Sequence, residues 1–291
     1  MGDGSIPGSH DVPIGWPQTS REVGLSEAGR QSFAVGDVTA EIGPDYVALV
    51  EMHRPPNNSL DVTLVEALAD VFEGLDDDPA CRAILLASEG RHFCAGASLG
   101  SPDDPLSTGA GGANNPLYEA AVRLFRIQTP IVAAIQGAAI GGGLGLALVA
   151  DFRVTCAEAR YSANFTRLGL HQGFGISVTL PHVVGNQVAL DLLLTGRRLG
   201  GDEAVQLELC DRLVPQEQVR TAARELAADI ASAAPLAVRS VRQTMRGHLA
   251  DQVATVTKRE HEQQQKLSAT SDYREGVQAY AERRPANFQG R

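Results

Sequence analysis

The sequence AAIGGGLGLALVAD, residues 138–151, places three consecutive glycines directly before an apolar run. Glycine is the least favourable ordinary residue in a helix interior, so a triplet at a helix start indicates a special requirement. Three requirements are candidates: close packing of helix on strand, a backbone conformation that other residues avoid, and bare amide N–H groups at the helix N-terminus. Such amides lie at the positive end of the helix dipole, where they bind a negatively charged oxygen.

These glycines do not form a nucleotide-binding motif. A GxGxxG motif begun at Gly141 needs glycine where the chain has Leu146, and no Gly-Lys-Ser/Thr sequence of a phosphate-binding loop is present. Two interpretations therefore remain, a purely structural packing role and an oxyanion site.

A second small-residue turn lies upstream in GRHFCAGASLG, residues 90–100, and it also follows a buried apolar run. One amide makes a weak oxyanion site, so a second donor is expected from another loop. The two turns are explained better together than separately, which favours the oxyanion interpretation.

Composition limits the partners. The chain has 291 residues, 43% of them hydrophobic, and a formal net charge of −10 without basic clusters. This charge argues against binding to nucleic acid or to an anionic membrane surface. The four cysteines form no CxxC pair, and no signal peptide or membrane span is evident. We therefore expect a reduced, cytoplasmic protein.

The rest of the chain alternates short strands with helices, which predicts an α/β fold of βαβ units with right-handed crossovers. Residues 1–34 are rich in Gly, Ser and Pro and are predicted to be a flexible leader. Residues 35–215 are predicted to form the core domain, and 216–291 a C-terminal helical region. Within the core we expect a hairpin over 38–55, helices over 63–78 and 116–128, and buried strands over 81–88 and 130–137.

The paired turns resemble those of the crotonase superfamily, also called the enoyl-CoA hydratase/isomerase family. That family carries Phe-x-Ala-Gly-x-Asp and Asn-Gly-x-x-x-Gly-Gly-Gly, where this chain has FCAGAS at 93–98 and QGAAIGGG at 136–143. The resemblance covers about 35–291 and includes HRPPNNSLD at 53–61, LLLTGRRLGGDEAVQLELCDRLV at 192–214 and YREGVQAYAERRPANFQGR at 273–291.

The resemblance implies a crotonase-like spiral of ββα units with a C-terminal trimerisation region. It also implies an acyl-CoA substrate and an enolate-like intermediate, with coenzyme A as part of the substrate and no separate cofactor. Homotrimers or hexamers are expected, with no nucleic acid or membrane partner.

The resemblance further implies that the amides of Ala97 and Gly142 form the oxyanion hole. Arg91 matches a position near the coenzyme A phosphates. Phe288 matches an aromatic residue near the adenine, often reached from a neighbouring subunit. The other substrate contacts are expected at Ala95, Ser98, Leu99, Gly141, Gly145 and Phe165.

The acid and base of the family are not retained. Family hydratases have one glutamate where this chain has Gly145, and we align the second with Phe165. Water addition by paired glutamates is therefore in doubt, and we expect poor hydration of simple enoyl-CoA. The aryl-CoA dehalogenase branch is disfavoured as well, because its aspartate nucleophile aligns with Gly173 and its histidine with Tyr118.

Two other side chains are candidates for proton transfer. His171 lies in LGLHQGFG, within the segment that carries catalytic acids in the family, although a hydrogen-bonded loop histidine has the same sequence signature. Tyr118 lies on a helix predicted to flank the pocket. No spacing of His and Cys residues indicates a metal site.

The leading hypothesis is an acyl-CoA enzyme with lyase or isomerase chemistry. The alternatives are a thioester or C–C bond hydrolase that uses His171, and a non-catalytic acyl-CoA-binding homologue. The sequence leaves open the acyl group, the reaction branch, the acid/base residue, the pathway and the choice between trimer and hexamer.

Overall fold

The computed structural model describes residues 22–25, 31–97 and 115–291. Within these residues the main sheet contains eight strands. Their order across the sheet is β1-β2-β3-β4-β5-β6-β8-β11. Their bounds are β1 Glu22–Leu25, β2 Gln31–Val35, β3 Val38–Ile42, β4 Val47–Met52, β5 Ala83–Ser88, β6 Ile131–Ile135, β8 Phe152–Thr155 and β11 Arg212–Leu213. A small second sheet holds β10 (Leu199–Gly200), β9 (Arg160–Ser162) and β7 (Ala138–Ile140), in that order.

The bounds of the described helices are α1 Val62–Asp76, α2 Pro116–Arg126, α3 Gly142–Ala147, α4 Ile176–Thr195, α5 Gly201–Gln206, α6 Val219–Ala231, α7 Pro235–Arg246, α8 Leu249–Ser268 and α9 Ser271–Glu282. Up to α5 the described helices alternate with strands as expected, and α6 to α9 follow one another in the predicted helical region. The expected hairpin is β3–β4, closed by the Gly43 N–H donating to the Val47 carbonyl at 2.9 Å. From β4 to β8 the neighbouring strands are parallel. The α/β prediction is therefore confirmed.

The sheet begins earlier than we expected. Strand β1 pairs with β2, and β2 pairs with β3, all antiparallel. Residues 22–25 and 31–34 therefore belong to strands, and the prediction that everything before residue 35 is a leader is wrong for them. These strands are short, and they are stabilised by pairing within the sheet, β1 with β2 and β2 with β3, which the local sequence pattern does not indicate.

The central strands β5 and β6 are buried along their whole length. Helix α6 packs on β5, β6 and β8, and contributes Ala223, Ala227 and Ala231 to the same hydrophobic core. The boundary that we placed between residues 215 and 216 is therefore not a boundary of the hydrophobic core, because the C-terminal region contributes helix α6 to that core.

Helix α7 is held on the rest of the protein by ion pairs. None of its residues is fully buried, and its partly buried arginines contact carboxylates of Asp76 and Asp151. Arg242 Nε lies 2.8 Å from Asp151 Oδ2, and Arg246 Nε lies 3.2 Å from Asp151 Oδ1. Arg239 contacts Asp76 at 2.6 Å. Burial lowers the pKa of Arg246 to about 10, although Asp151 opposes that shift.

Helix α8 packs on α2 and α4, and α9 packs on the 3-10 helix Asn164–Leu168. The C-terminal helices therefore lie next to the segment that follows β9. Among the described residues, no helix is both long enough and apolar enough to cross a membrane.

The first prediction concerns Asp151, whose Oδ2 also accepts the Ile131 N–H at 2.8 Å. Asp151→Ala leaves two nearly buried arginines and one backbone donor without their partner, so we expect a loss of about 3–5 kcal/mol in the free energy of unfolding. Urea unfolding at one fixed protein concentration measures it. Asp229→Ala, at an exposed position of α6, is the control and should change it by less than about 0.5 kcal/mol. Equal effects of the two changes would show that Asp151 does not anchor α7.

Candidate active site

The two predicted turns lie side by side. The Cys94 N–H donates to the Ala138 carbonyl at 2.9 Å, and the Ile140 N–H donates to the Cys94 carbonyl at 3.1 Å. The first turn is held on its other side by the Leu60 N–H, which donates to the Gly96 carbonyl at 3.0 Å. Residues from the ends of two parallel strands, β5 and β6, are thereby brought to one place.

The glycine triplet meets all three requirements, each at a different residue. Gly141 has a φ of 56°, in the left-handed region that favours glycine. A Cβ on Gly143 would lie 2.1 Å from the Cys94 carbonyl oxygen, so this position demands close backbone packing. A Cβ on Gly142 would meet only the Leu60 side chain, whose nearer atom, Cδ2, lies at 3.4 Å. As the first residue of α3, Gly142 has an amide without an intrahelical acceptor, which fits the third requirement.

The turns open onto a cavity of about 1040 Å³. It collects six of the residues that the sequence singled out, namely Ala95, Ala97, Gly141, Gly142, Tyr118 and Phe165. Ser98 and Leu99 lie outside the described residues.

Four other predicted residues are not among those that line this cavity in the described chain. Arg91 is exposed, and Phe288 is exposed near the C-terminus. Gly145 is buried below the cavity wall. The His171 Nδ1 lies 2.8 Å from the carbonyl oxygen of Gln172. The roles assigned to these four residues stay predictions.

The space beside Gly145 is filled by an aromatic ring. A Cβ on Gly145 would lie 2.8 Å from both the Cβ and the Cδ1 of Phe174. Phe174 is 2% exposed and has a φ of 61°, between Gly173 and Gly175. A side chain at position 145 therefore cannot be accommodated unless Phe174 moves.

The space beside Gly173 is filled in the same way. A Cβ there would lie 2.1 Å from the Tyr118 hydroxyl oxygen and 2.7 Å from Gln264 Nε2. The two positions aligned with catalytic carboxylates, 145 and 173, are thus both blocked by neighbouring side chains. The side chains that block these positions, Phe174 and Tyr118, form what we call the repacked wall.

Tyr118 lies in a buried polar network. Its hydroxyl donates to Gln264 Oε1 and accepts a hydrogen bond from the Phe174 backbone N–H. Gln264 Nε2 in turn donates to the His171 carbonyl at 3.0 Å. Burial raises the pKa of Tyr118 well above its ordinary value, and the nearby Glu260 acts in the same direction. The phenol therefore stays protonated at neutral pH and orients its neighbours.

Glu260 holds the loop that carries Phe174. It is fully buried, and its two oxygens accept the N–H groups of Gly175 at 2.8 Å and of Ser177 at 3.0 Å. Burial raises the pKa of Glu260, while the hydrogen bonds from Ser177 and Gly175 oppose that shift. An acceptor at the N-terminus of α4 is favourable for the helix dipole and fixes the position of the loop.

Sequence reasoning missed Glu260, Gln264 and Asn164, the last of which lines the cavity. A signal for the first two existed: Val253, Thr257, Glu260 and Gln264 are spaced by four, three and four residues, as on one helical face. Polar residues continuing an apolar face indicate buried hydrogen bonds. Asn164 carries no comparable pattern.

Part of the cavity lining is charged. Arg160, Arg198 and Asp202 line it, together with His92. Burial lowers the pKa of His92, and Arg91 acts in the same direction. The Ala138 N–H donates to His92 Nδ1 at 3.3 Å. Within the described ranges no group of three or more His, Cys, Asp or Glu side chains is placed to hold a metal ion.

Known proteins resemble the chain over most of its length. The family model described as enoyl-CoA hydratase/isomerase matches residues 43–291. Enoyl-CoA hydratase EchA19 of Mycobacterium tuberculosis is 31% identical over 266 residues, covering 87% of this chain and 99% of that protein. Carnitinyl-CoA dehydratase of Proteus mirabilis is 30% identical over 250 residues, covering 82% of this chain and 94% of that protein.

A solved structure agrees in fold. The enoyl-CoA hydratase/isomerase of Pseudoalteromonas atlantica superimposes with a TM-score of 0.77 at 31% identity, covering 87% of this chain and all of the other. Two turns that line one cavity, the α/β fold and these matches lead to one conclusion. The chain belongs to the enoyl-CoA hydratase/isomerase family of the crotonase superfamily and is an enzyme of that type.

Proposed function

We propose that the protein binds an acyl-CoA thioester and stabilises an enolate-like oxyanion through the amides of Ala97 and Gly142. The observation that carries this proposal is that both residues line one cavity, on two turns hydrogen-bonded to each other. Preorganised backbone donors of this kind stabilise charge that develops in the transition state, at little reorganisation cost. The experiment is incubation with a panel of acyl-CoA thioesters, with products followed by mass spectrometry.

The reaction is proposed to be lyase or isomerase chemistry on an enolisable or α,β-unsaturated thioester. Water addition by two carboxylates is disfavoured, because Gly145 and Phe165 carry none and Phe174 fills the space beside Gly145. The hydrolase alternative loses support, since His171 is absent from the cavity lining. Free coenzyme A among the products would favour it, and binding without any turnover would favour a non-catalytic homologue.

The charged part of the cavity lining suits the phosphates of coenzyme A. Arg198 is exposed there, and its side chain has no ion-pair or hydrogen-bond partner in the described part of the chain. Arg160 lies beside it, donating to the carbonyls of Ala157 and Ala159. We propose Arg198 as a phosphate contact, with Arg91 further along the surface. Phe288 is proposed to reach the adenine of a neighbouring subunit.

Trimers, alone or paired as hexamers, are proposed for the assembly. Helix α7 exposes Leu236, Val241 and Met245, with exposed fractions of 81%, 63% and 65%. Next to it lies a mostly apolar cavity of about 950 Å³ bordered by Val241, Met245 and Phe152. A closed cyclic assembly covers such faces without leaving an open end. A cytoplasmic location stays a prediction.

The oxyanion assignment is tested at Gly142. Gly142→Pro removes the N–H at a helix position that tolerates proline, so turnover should fall at least about 100-fold. Gly142→Ala is the matched control: it keeps the N–H, and its Cβ makes an ordinary contact with Leu60. We expect kcat of the alanine variant to stay within about tenfold of the parent. A folded proline variant with unchanged turnover would contradict the assignment.

The repacked wall is tested by reintroducing carboxylates. The unmodified protein should hydrate crotonyl-CoA poorly. The double variant Gly145→Glu, Phe165→Glu should unfold at a lower temperature than the parent and should hydrate crotonyl-CoA no faster, because the side chain at 145 clashes with Phe174. Adding Phe174→Gly removes the ring and relieves the positive φ, so stability should recover. Thermal unfolding and alkene absorbance measure both effects. Efficient hydration by the unmodified protein would show the alignment at 145 and 165 to be wrong.

Assembly is tested by light scattering at micromolar concentration, which should give the mass of three or six chains. Leu236→Asp with Met245→Asp places charge on the exposed face of α7 and should yield monomers of unchanged fold. Asp229→Ala serves as the surface control. A parent protein that is monomeric and still binds acyl-CoA would refute the assembly and the shared adenine site.

A further inference from the structure

Asn164 is the polar residue nearest to Gly141 on the cavity wall. A Cβ built on Gly141 would have Asn164 Oδ1 as its nearest neighbour, at 3.3 Å, and Phe165 Cζ next, at 3.8 Å. Both residues line the cavity from the start of the 3-10 helix Asn164–Leu168. Where we aligned a glutamate with residue 165, the chain therefore presents a ring carbon, and the amide oxygen comes from the residue before it.

The Asn164 side chain has no hydrogen-bond partner in the part of the chain that the structure describes, unlike its polar neighbours. The Ser162 hydroxyl donates to the Gly196 carbonyl at 3.1 Å, and the Thr166 hydroxyl donates to the Leu193 carbonyl at 3.3 Å. Those two hydroxyl groups thus form their hydrogen bonds within the protein. A partly buried amide that faces a cavity without a partner has its hydrogen-bonding capacity available to a ligand.

The position defines what this amide can contact. Gly142 supplies the proposed oxyanion donor, and its neighbour Gly141 faces Asn164 Oδ1. Consecutive Cα atoms are about 3.8 Å apart, so the amide oxygen lies within reach of the first carbons of an acyl chain whose carbonyl is bound at Gly142. A carbonyl oxygen accepts hydrogen bonds, and an amide does not transfer protons at neutral pH. This chemistry selects a hydroxyl group and assigns Asn164 no acid/base step.

We propose that Asn164 is a specificity-determining residue that accepts a hydrogen bond from a hydroxyl group on the β-carbon of the acyl chain. This inference rests on the proposed function, because it requires the thioester carbonyl to be held at Gly142. It gives residue 164 a role separate from those of the amides and of Tyr118.

The test compares the binding of butyryl-CoA with that of the two enantiomers of 3-hydroxybutyryl-CoA by isothermal titration calorimetry. The ligands are checked for conversion by mass spectrometry. The parent protein should bind one hydroxylated enantiomer about tenfold more tightly than butyryl-CoA, which corresponds to about 1.4 kcal/mol. Asn164→Leu should abolish that preference, whereas Asn164→Asp keeps an acceptor and should retain it.

Phe165→Leu is the matched control, since it changes the same wall without a polar atom and should alter the affinities for all three ligands by the same factor. Asn164→Ala replaces the leucine variant if circular dichroism shows that variant to be unfolded. If the parent protein binds none of the three thioesters, the proposed function is overturned, and this inference with it. Binding without a hydroxyl preference, a preference that survives Asn164→Leu, or one lost in Asn164→Asp would overturn this inference alone.

Discussion

The site depends on the pairing of the Cys94 turn with strand β7. The bridge between Cys94 and Ala139 brings the ends of β5 and β6 so close that a side chain at position 143 would overlap the Cys94 carbonyl. Ala97 and Gly142, which come from distant parts of the sequence, then line one cavity on turns held by backbone hydrogen bonds rather than by flexible side chains. Rigid donors are what an oxyanion site requires, because they need no reorientation when charge develops.

The opposite wall depends on the C-terminal helices. Glu260 and Gln264 of α8 hold the loop of Gly173–Gly175 and the hydroxyl of Tyr118, and α9 contributes Val277 and Tyr280 to the cavity lining. The C-terminal region therefore forms part of the site as well as part of the core. The buried carboxylate of Glu260 is accommodated because both its oxygens accept backbone N–H groups.

Much of the fold and half of the site were predictable from the sequence. Apolar runs such as ILLA in β5 and the amphipathic pattern of α1 mark their elements locally, and the glycine turns carry a recognisable order of residues. Strands β1 and β2 were not predictable, because their pairing with each other, and that of β2 with β3, is a tertiary effect. The contacts of Phe174 with Gly145 and of Tyr118 with Gly173 were likewise not predictable, since only the folded chain brings these residues together.

Those two contacts change what the missing carboxylates mean. Had glycine at 145 and 173 left empty space, water could enter and take the place of the lost side chains. Here an aromatic ring and a phenol fill that space, so no room for a side chain remains beside either glycine. This packing supports the proposal of chemistry that relies on enolate stabilisation, because a carboxylate at position 145 or 173 would need Phe174 or Tyr118 to move.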